Sequence, residues 1–342
     1  MSTELITLAD NDQERFDDYL AEMGWGDGLP AVPPTPARVD AMLAATLFDA
    51  DHELGVMPPR QGVATVDHVA VNAVMAGCRP EHFPVVVAAV EAVLDPAFNL
   101  FAVQATTHPC SPLLIVNGPI TERLGINARY GAFGPGFRAN ATIGRAMRLV
   151  LLNVGGAAPG VLDRSTQGAP SKYSFCVAEN ESESPWEPLQ VERGFDAGQS
   201  TVTVVGCESP HNINDHVSTA ADGILTTITG SLANMGSNNA YLHGGPVLAL
   251  GPEHAAIVAS EGLSKDDVRR HVFDHARIPR EIWERGGMAK MTSDPFADDD
   301  LVPIISRPED LIVIVLGGFG RHSSWLPTFG DSTQAVTRPI AG

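Results

Sequence analysis

Two periods of apolar residues alternate along this chain. Short, largely apolar runs predict buried strands at 113–117 (LLIVN), 173–178 (YSFCVA), 201–205 (TVTVV), 247–250 (VLAL) and 311–316 (LIVIVL). Between them, apolar residues spaced three and four apart predict helices. One covers 11–24, with Phe16, Leu20 and Met23 on its inner face and Gly24 as its stop. Thr35 and Pro36 start another that runs to Ala45. The stretches 65–77 and 83–94 are apolar on most faces and belong between layers. The helix from Asn140 carries the stripe Ile143, Met147, Val150, Leu151 and Val154, with Arg145 and Arg148 off it. Further helices are predicted at 217–234 and, capped by Ser264, at 265–276.

Strands alternating with helices predict an α/β protein with a mostly parallel or mixed sheet and helices on both faces. A repeat is visible in the pattern: Pro112-LLIVN-Gly118-Pro119 resembles Pro246-VLAL-Gly251-Pro252, and both precede helices and then another strand. The expected organisation is a helical and proline-rich arm (1–60), a first α/β half (61–195) and a second (196–342). In the arm, Trp25 and Leu29 are the expected anchors on the core.

The polar positions concentrate where apolar runs end. The stretch 201–216, TVTVVGCESPHNINDH, leaves a predicted strand and releases ligand-capable side chains before a helical pattern resumes. That is where α/β proteins place binding and chemistry; a loop whose Asn214 or Asp215 caps the helix is the plainer alternative. Three kinds of chemistry fit. A metal-assisted lyase or hydrolase would use Glu179, Glu208 and His216 as ligands to zinc, iron or manganese, though two histidines five apart match no established motif. A cysteine hydrolase or transferase would use Cys207 with His211 as base, a helix N-terminus lowering the thiol pKa and Glu208 opposing it; Cys110 beside His108 is the competing thiol. Acid–base catalysis without either would rest on His211 or His322, with Asn212, Asn214, Asp215, Ser237 and Asn239 orienting a small polar or carboxylate-bearing substrate. The glycine-rich loop 131–138 ends on Arg138 and offers an anion site or a tight turn; it is neither a Walker loop nor a dinucleotide fingerprint. A non-catalytic ligand-binding subunit of a larger complex is the alternative from another class.

Charge narrows the partners. A net charge of −19 and a pI near 4.8 disfavour nucleic acid and anionic membrane surfaces. The N-terminus lacks a basic region followed by an apolar core, and the longest apolar run, about ten residues, is too short to span a bilayer. Four separated cysteines with no CxxC pair suit a reducing cytoplasm. The unusually apolar helices suggest a homo-oligomer.

The runs GWGDGLPAVPPTPARVDAML, VAVNAVMAGCRPEHFPVVVAAVEA, LLIVNGPITERLGIN, RANATIGRAMRLVLLNVGG, SPHNINDH and GSNNAYL together resemble a bacterial family associated with proteins named for a UGSC (selenocysteine-Gly-Ser-Cys) motif. The resemblance implies a bacterial origin. This chain has no CGSC, so it implies no redox activity and no catalytic residue.

Overall fold

The computed structural model describes residues 12–287 and 296–341. The N-terminal stretch 1–11 and residues 288–295 and 342, which the expected arm and second half include, lie outside the described residues. Twelve strands occur among those described: β1 (Glu53–Met57), β2 (Gly62–Thr65), β3 (Ser111–Asn117), β4 (Cys176–Ala178), β5 (Thr201–Cys207), β6 (His211–Asn214), β7 (Val247–Leu250), β8 (Arg277–Pro279), β9 (Leu301–Pro303), β10 (Ile312–Val315), β11 (His322–Leu326) and β12 (Val336–Pro339).

Eight of them form two mixed sheets of four, in the orders β12-β5-β3-β4 and β10-β7-β11-β6. The α/β class with mixed sheets is as expected, but the layering is different in detail. Side chains alternate along each strand, and here alternate residues serve different cores. Leu114, Val116, Val202 and Val204 face the helices Val66–Met75, Phe83–Leu94 and Arg138–Asn153. Leu248, Leu250, Val313 and Val315 face the helices Ala221–Leu232, Pro252–Ser260 and Lys265–His275. The residues between, Leu113, Ile115, Val177 and Val205 from one sheet and Val247, Ala249, Ile312 and Ile314 from the other, pack together. Each sheet therefore has helices on one face and the other sheet on its second face. The sandwich has helices on both outer sides, and strands buried on both faces read as unbroken apolar runs.

The two sheets repeat one pairing scheme. β3 runs parallel to β4 and antiparallel to β5; β7 runs parallel to β10 and antiparallel to β11. The registers agree residue by residue: Leu114 faces Val204 and Cys176, as Leu248 faces Trp325 and Val313. A proline-led 3-10 turn precedes both β4 and β10, at Pro170–Lys172 and Pro308–Asp310. The internal repeat suggested by the two glycine–proline signals thus has a structural counterpart.

The fourth strand of each sheet comes from the other half of the chain. After β5 the chain crosses and adds β6 beside β11; after β11 it crosses back and adds β12 beside β5. The crossings meet in an antiparallel bridge between Cys207 and Thr328, with Glu208 N donating to Pro327 O (2.8 Å) and Phe329 N donating to Gly206 O (3.2 Å). The expected boundary at 195/196 does not follow the sheets, because β5 completes the first sheet and β12 returns to it.

The proline-rich arm is fixed by polar contacts. Trp25 and Leu29 are 40 % and 44 % exposed, so they are not its anchors. Arg145, off the apolar stripe as read from sequence, holds Asp27 through two nitrogens (2.7 and 2.8 Å) and also donates to the carbonyls of Leu29 and Pro30. A bidentate guanidinium–carboxylate pair outweighs a surface aromatic contact here. Burial works against the Asp27 carboxylate, but Arg145 and the Leu29 amide hold it below its ordinary range.

Exchanged strands make the halves one cooperative unit. Leu114→Ala and Leu248→Ala, equivalent positions in opposite halves, should each cost about 2–5 kcal/mol. Both should shift one shared unfolding transition, measured by circular dichroism and by the fluorescence of Trp283 and Trp325, which lie in the second core. Separate transitions, each answering to one substitution, would contradict the interleaving.

Candidate functional site

Strand exchange brings residues 212–216, which follow β5 of the first sheet, against the start of β11. In the register, Asn214 pairs with His322, Asn212 with Ser324 and His211 with Trp325. Alternation puts His322, Ser324, Asn212 and Asn214 on one face and His211, Ile213 and Trp325 on the other. His211 therefore points away from the polar face and lies edge-on to Trp325, ring centroids 6.2 Å apart, exposed. His211, expected as the base, thus does not share a face with Asn212, Asn214 and His322.

On the polar face, His322 Nδ1 lies 2.9 Å from Asn212 Oδ1, and His322 Nε2 lies 3.1 Å from His216 Nε2. An amide oxygen only accepts, so Nδ1 of His322 carries the hydrogen. Neutral His322 then presents its Nε2 lone pair, His216 donates from Nε2, and His216 Nδ1 is left as an open acceptor. The two rings are nearly perpendicular, at 79°. All three side chains are solvent-accessible.

A buried clamp sets this line in place. His254, 1 % exposed, has Nε2 3.0 Å from the Asp215 carbonyl and Nδ1 2.7 Å from Ser323 Oγ. A carbonyl forces Nε2 to be the donor, so Nδ1 accepts from Ser323, whose oxygen in turn accepts from Gly251 N (3.0 Å). Gly251 is needed at that point, since a Cβ there would sit 2.2 Å from the His322 carbonyl oxygen. The Asp215 carboxylate accepts from Val217 N, Ser218 N and Thr227 Oγ1 (3.1, 2.8 and 3.0 Å). Desolvation opposes its charge, but the amides and hydroxyls of Ser218, Val217 and Thr227 outweigh it and hold the carboxyl far below its ordinary range. Asp215 thus organises the turn that carries His216; it does not cap the following helix, which starts at Ala221 after Ala220 with no side-chain cap.

The other candidates lie elsewhere. Cys207 is fully buried; burial, with Cys110 and Glu208 adding to it, pushes its thiol well above the ordinary range. It is followed by a strand crossing and not by a helix N-terminus, so nothing favours the thiolate. Burial likewise pushes Cys110 up to about 12. Glu208 meets His108 Nε2 at 2.7 Å, a pair between residues the sequence singles out separately. It braces the first crossing, where His108 also lies edge-on to Phe329. Glu179 is buried and accepts from Asn117 Nδ2 and Leu189 N, both at 2.7 Å; its other oxygen is 3.6 Å from Lys265 Nζ. Burial raises its pKa, and Lys265, Leu189 and Asn117 oppose the rise. Lys265, 4 % exposed, escapes sequence reading because a lysine in the first turn of a capped helix ordinarily faces solvent. Among the described residues no three His, Cys, Asp or Glu side chains gather as a metal-ligand group. Glu179, Glu208 and His216 are therefore not one ligand set.

The residues expected to bind substrate divide in the same way. Asn239 spans the second crossing, accepting from Thr328 N (2.8 Å) and donating to Thr328 Oγ1 (3.1 Å). Ser237 Oγ donates to Asn234 O, and Arg138 donates to Gly77 O, closing the end of the helix Val66–Met75. None of these three joins the histidines. Asn214 and Ser324 do share the face of His322, and their side chains have no partner among the described residues.

Asp215→Ala should cost about 1–2 kcal/mol at pH 7, the scale of a lost cap. A carboxyl held low in the folded chain stabilises fully above its unfolded pKa, and that contribution fades as pH falls toward the folded value. In urea unfolding, the deficit of the variant relative to wild type should be smaller at pH 3 than at pH 7; a deficit that grows on acidification would contradict this.

Among the described residues no single helix is long and apolar enough to cross a membrane. No family model matches the chain, and no curated protein matches it either.

Proposed function

We propose that this chain is an enzyme, a lyase or hydrolase, acting on a small polar or carboxylate-bearing molecule by proton transfer at His216 and His322. The observation that carries the reading is the Asn212–His322–His216 line, held from beneath by Ser323, His254 and Asp215. His216 Nδ1 accepts a proton from the substrate, and its Nε2–H leans on the lone pair of His322, which Asn212 keeps in the required tautomer. An orienting group that fixes the tautomer of a catalytic imidazole is the role that the third member plays in nucleophile–base triads. The uncommitted side chains of Asn214 and Ser324 would orient the substrate on the same face.

A divalent metal ion is the second reading. The outward hydrogen bond of His322 Nδ1 turns its Nε2 toward that of His216, as in metal-bound histidine. Zinc, iron or manganese would rest on the two Nε2 atoms, with solvent or substrate completing the shell, and would acidify a bound water. Cobalt(II) absorption on titrating the full chain separates the two: a tetrahedral visible band lost in His216→Ala supports the ion, and a featureless spectrum supports proton transfer alone.

Screened against small carboxylates, amides and esters, the wild-type chain should turn over a member of the panel, and His322→Ala should reduce that turnover by roughly 10²-fold or more with unchanged circular dichroism. Asn212→Ala should reduce it less. Full turnover in His322→Ala would overturn the role, and silence of wild type across the panel would favour a ligand-binding subunit.

A further inference from the structure

The two strand crossings are related by the internal repeat but are unequal in length. The first needs three residues between β5 and β6, 208–210; the second has nine between β11 and β12, 327–335. Three suffice to cross, so the longer return has material to spare. That material forms the wall of a cleft of about 400 Å³, made by Asp331, Thr333, Gln334 and Ala335 together with Arg193, Ser306 and the ends of β5 and β10. The volume is that of a small-molecule pocket.

Its chemistry is specific. Val205 and Ile312, members of the inter-sheet core, give it an apolar floor. Two arginines and three carboxylates, Glu309, Asp310 and Asp331, line it, and the arginines differ. Arg307 is spent on Asp310, at 2.6 Å. Arg193, at the end of the helix Leu189–Glu192, makes no hydrogen bond or ion pair from its side chain among the described residues; burial of its guanidinium lowers its pKa, with Glu192 opposing the drop and Arg269 adding to it. Asp331 is engaged by Ser306 Oγ (2.6 Å), and the Gln334 side-chain amide has no hydrogen-bond partner among the described residues. An uncommitted guanidinium over an apolar floor recognises an anionic oxygen group on an organic body.

We propose that this cleft binds a small organic anion, its carboxylate or phosphate on Arg193 and its apolar body on Val205 and Ile312. The site is at the opposite end of β7 from His216 and His322, since the cleft lies before that strand, at Gly244 and Gly245, and the histidines lie beyond its last residue. It is therefore a second site, independent of the proton-transfer reading.

Benzoate and inorganic phosphate, titrated separately into the full nitrogen-15-labelled chain, test it. Benzoate should shift the amides of Gly206, Gly244, Gly245, Thr328 and 331–335, and phosphate should bind the same place more weakly for want of an apolar body. Arg193→Gln, with unchanged circular dichroism, should weaken benzoate at least tenfold, as expected for loss of a charge-assisted pair. His322→Ala should bind it as wild type does. Absence of benzoate shifts in this set, unchanged affinity in Arg193→Gln, or tighter binding of phosphate than of benzoate would overturn the assignment.

Discussion

The antiparallel bridge between Cys207 and Thr328 is the contact on which this molecule turns. There the two halves of the chain pass one another, each leaving its own sheet to finish the other's. Neither sheet has its full complement of strands without the other half, so the usual independence of repeated α/β units is given up. The bridge is closely supported: Asn239 clasps Thr328 from one side, and the His108–Glu208 pair braces the neighbouring turn. Polar residues that resemble site residues in sequence here hold the crossing, because buried backbone leaving a sheet must find partners elsewhere.

Exchange also creates the site. Asn212 and His216 arrive with β6, and His322 opens β11, so the two imidazoles meet from 106 residues apart. Beneath them, His254 bridges the Asp215 carbonyl and Ser323 Oγ, which accepts from Gly251 N, and so ties the turn carrying His216 to the strand carrying His322. A buried network that fixes accessible imidazoles in this way is the preorganisation on which the proposed proton transfer rests.

How much of this was legible in sequence follows from burial. β3, β5, β7 and β10 are buried on both faces, so nearly every residue is apolar and the runs declare themselves. β6 has one buried residue in four, Ile213, and reads as a polar loop; β11 and β12 alternate too briefly to stand out. These three take part in the exchange, and nothing local in HNIN tells which sheet it will join. The stretch containing the site was therefore readable, as were His216, His322 and Asn212 singly. Their pairing was not, because it depends on register across the halves. The face that His211 takes is hidden for the same reason: a one-residue step along a strand reverses the face. The role of Arg145 is not legible in sequence because an arginine off an apolar stripe ordinarily faces solvent, and only the fold brings Asp27 to it.

The central claim is that the exchanged strands hold His322 as a fixed-tautomer partner of His216. A long-range proton–nitrogen-15 spectrum of the imidazoles at neutral pH reads this directly. Neutral His322 should carry its hydrogen on Nδ1, and replacing Asn212 by alanine should release this preference. A His322 ring protonated on Nε2, or one whose tautomer is indifferent to Asn212, would contradict it.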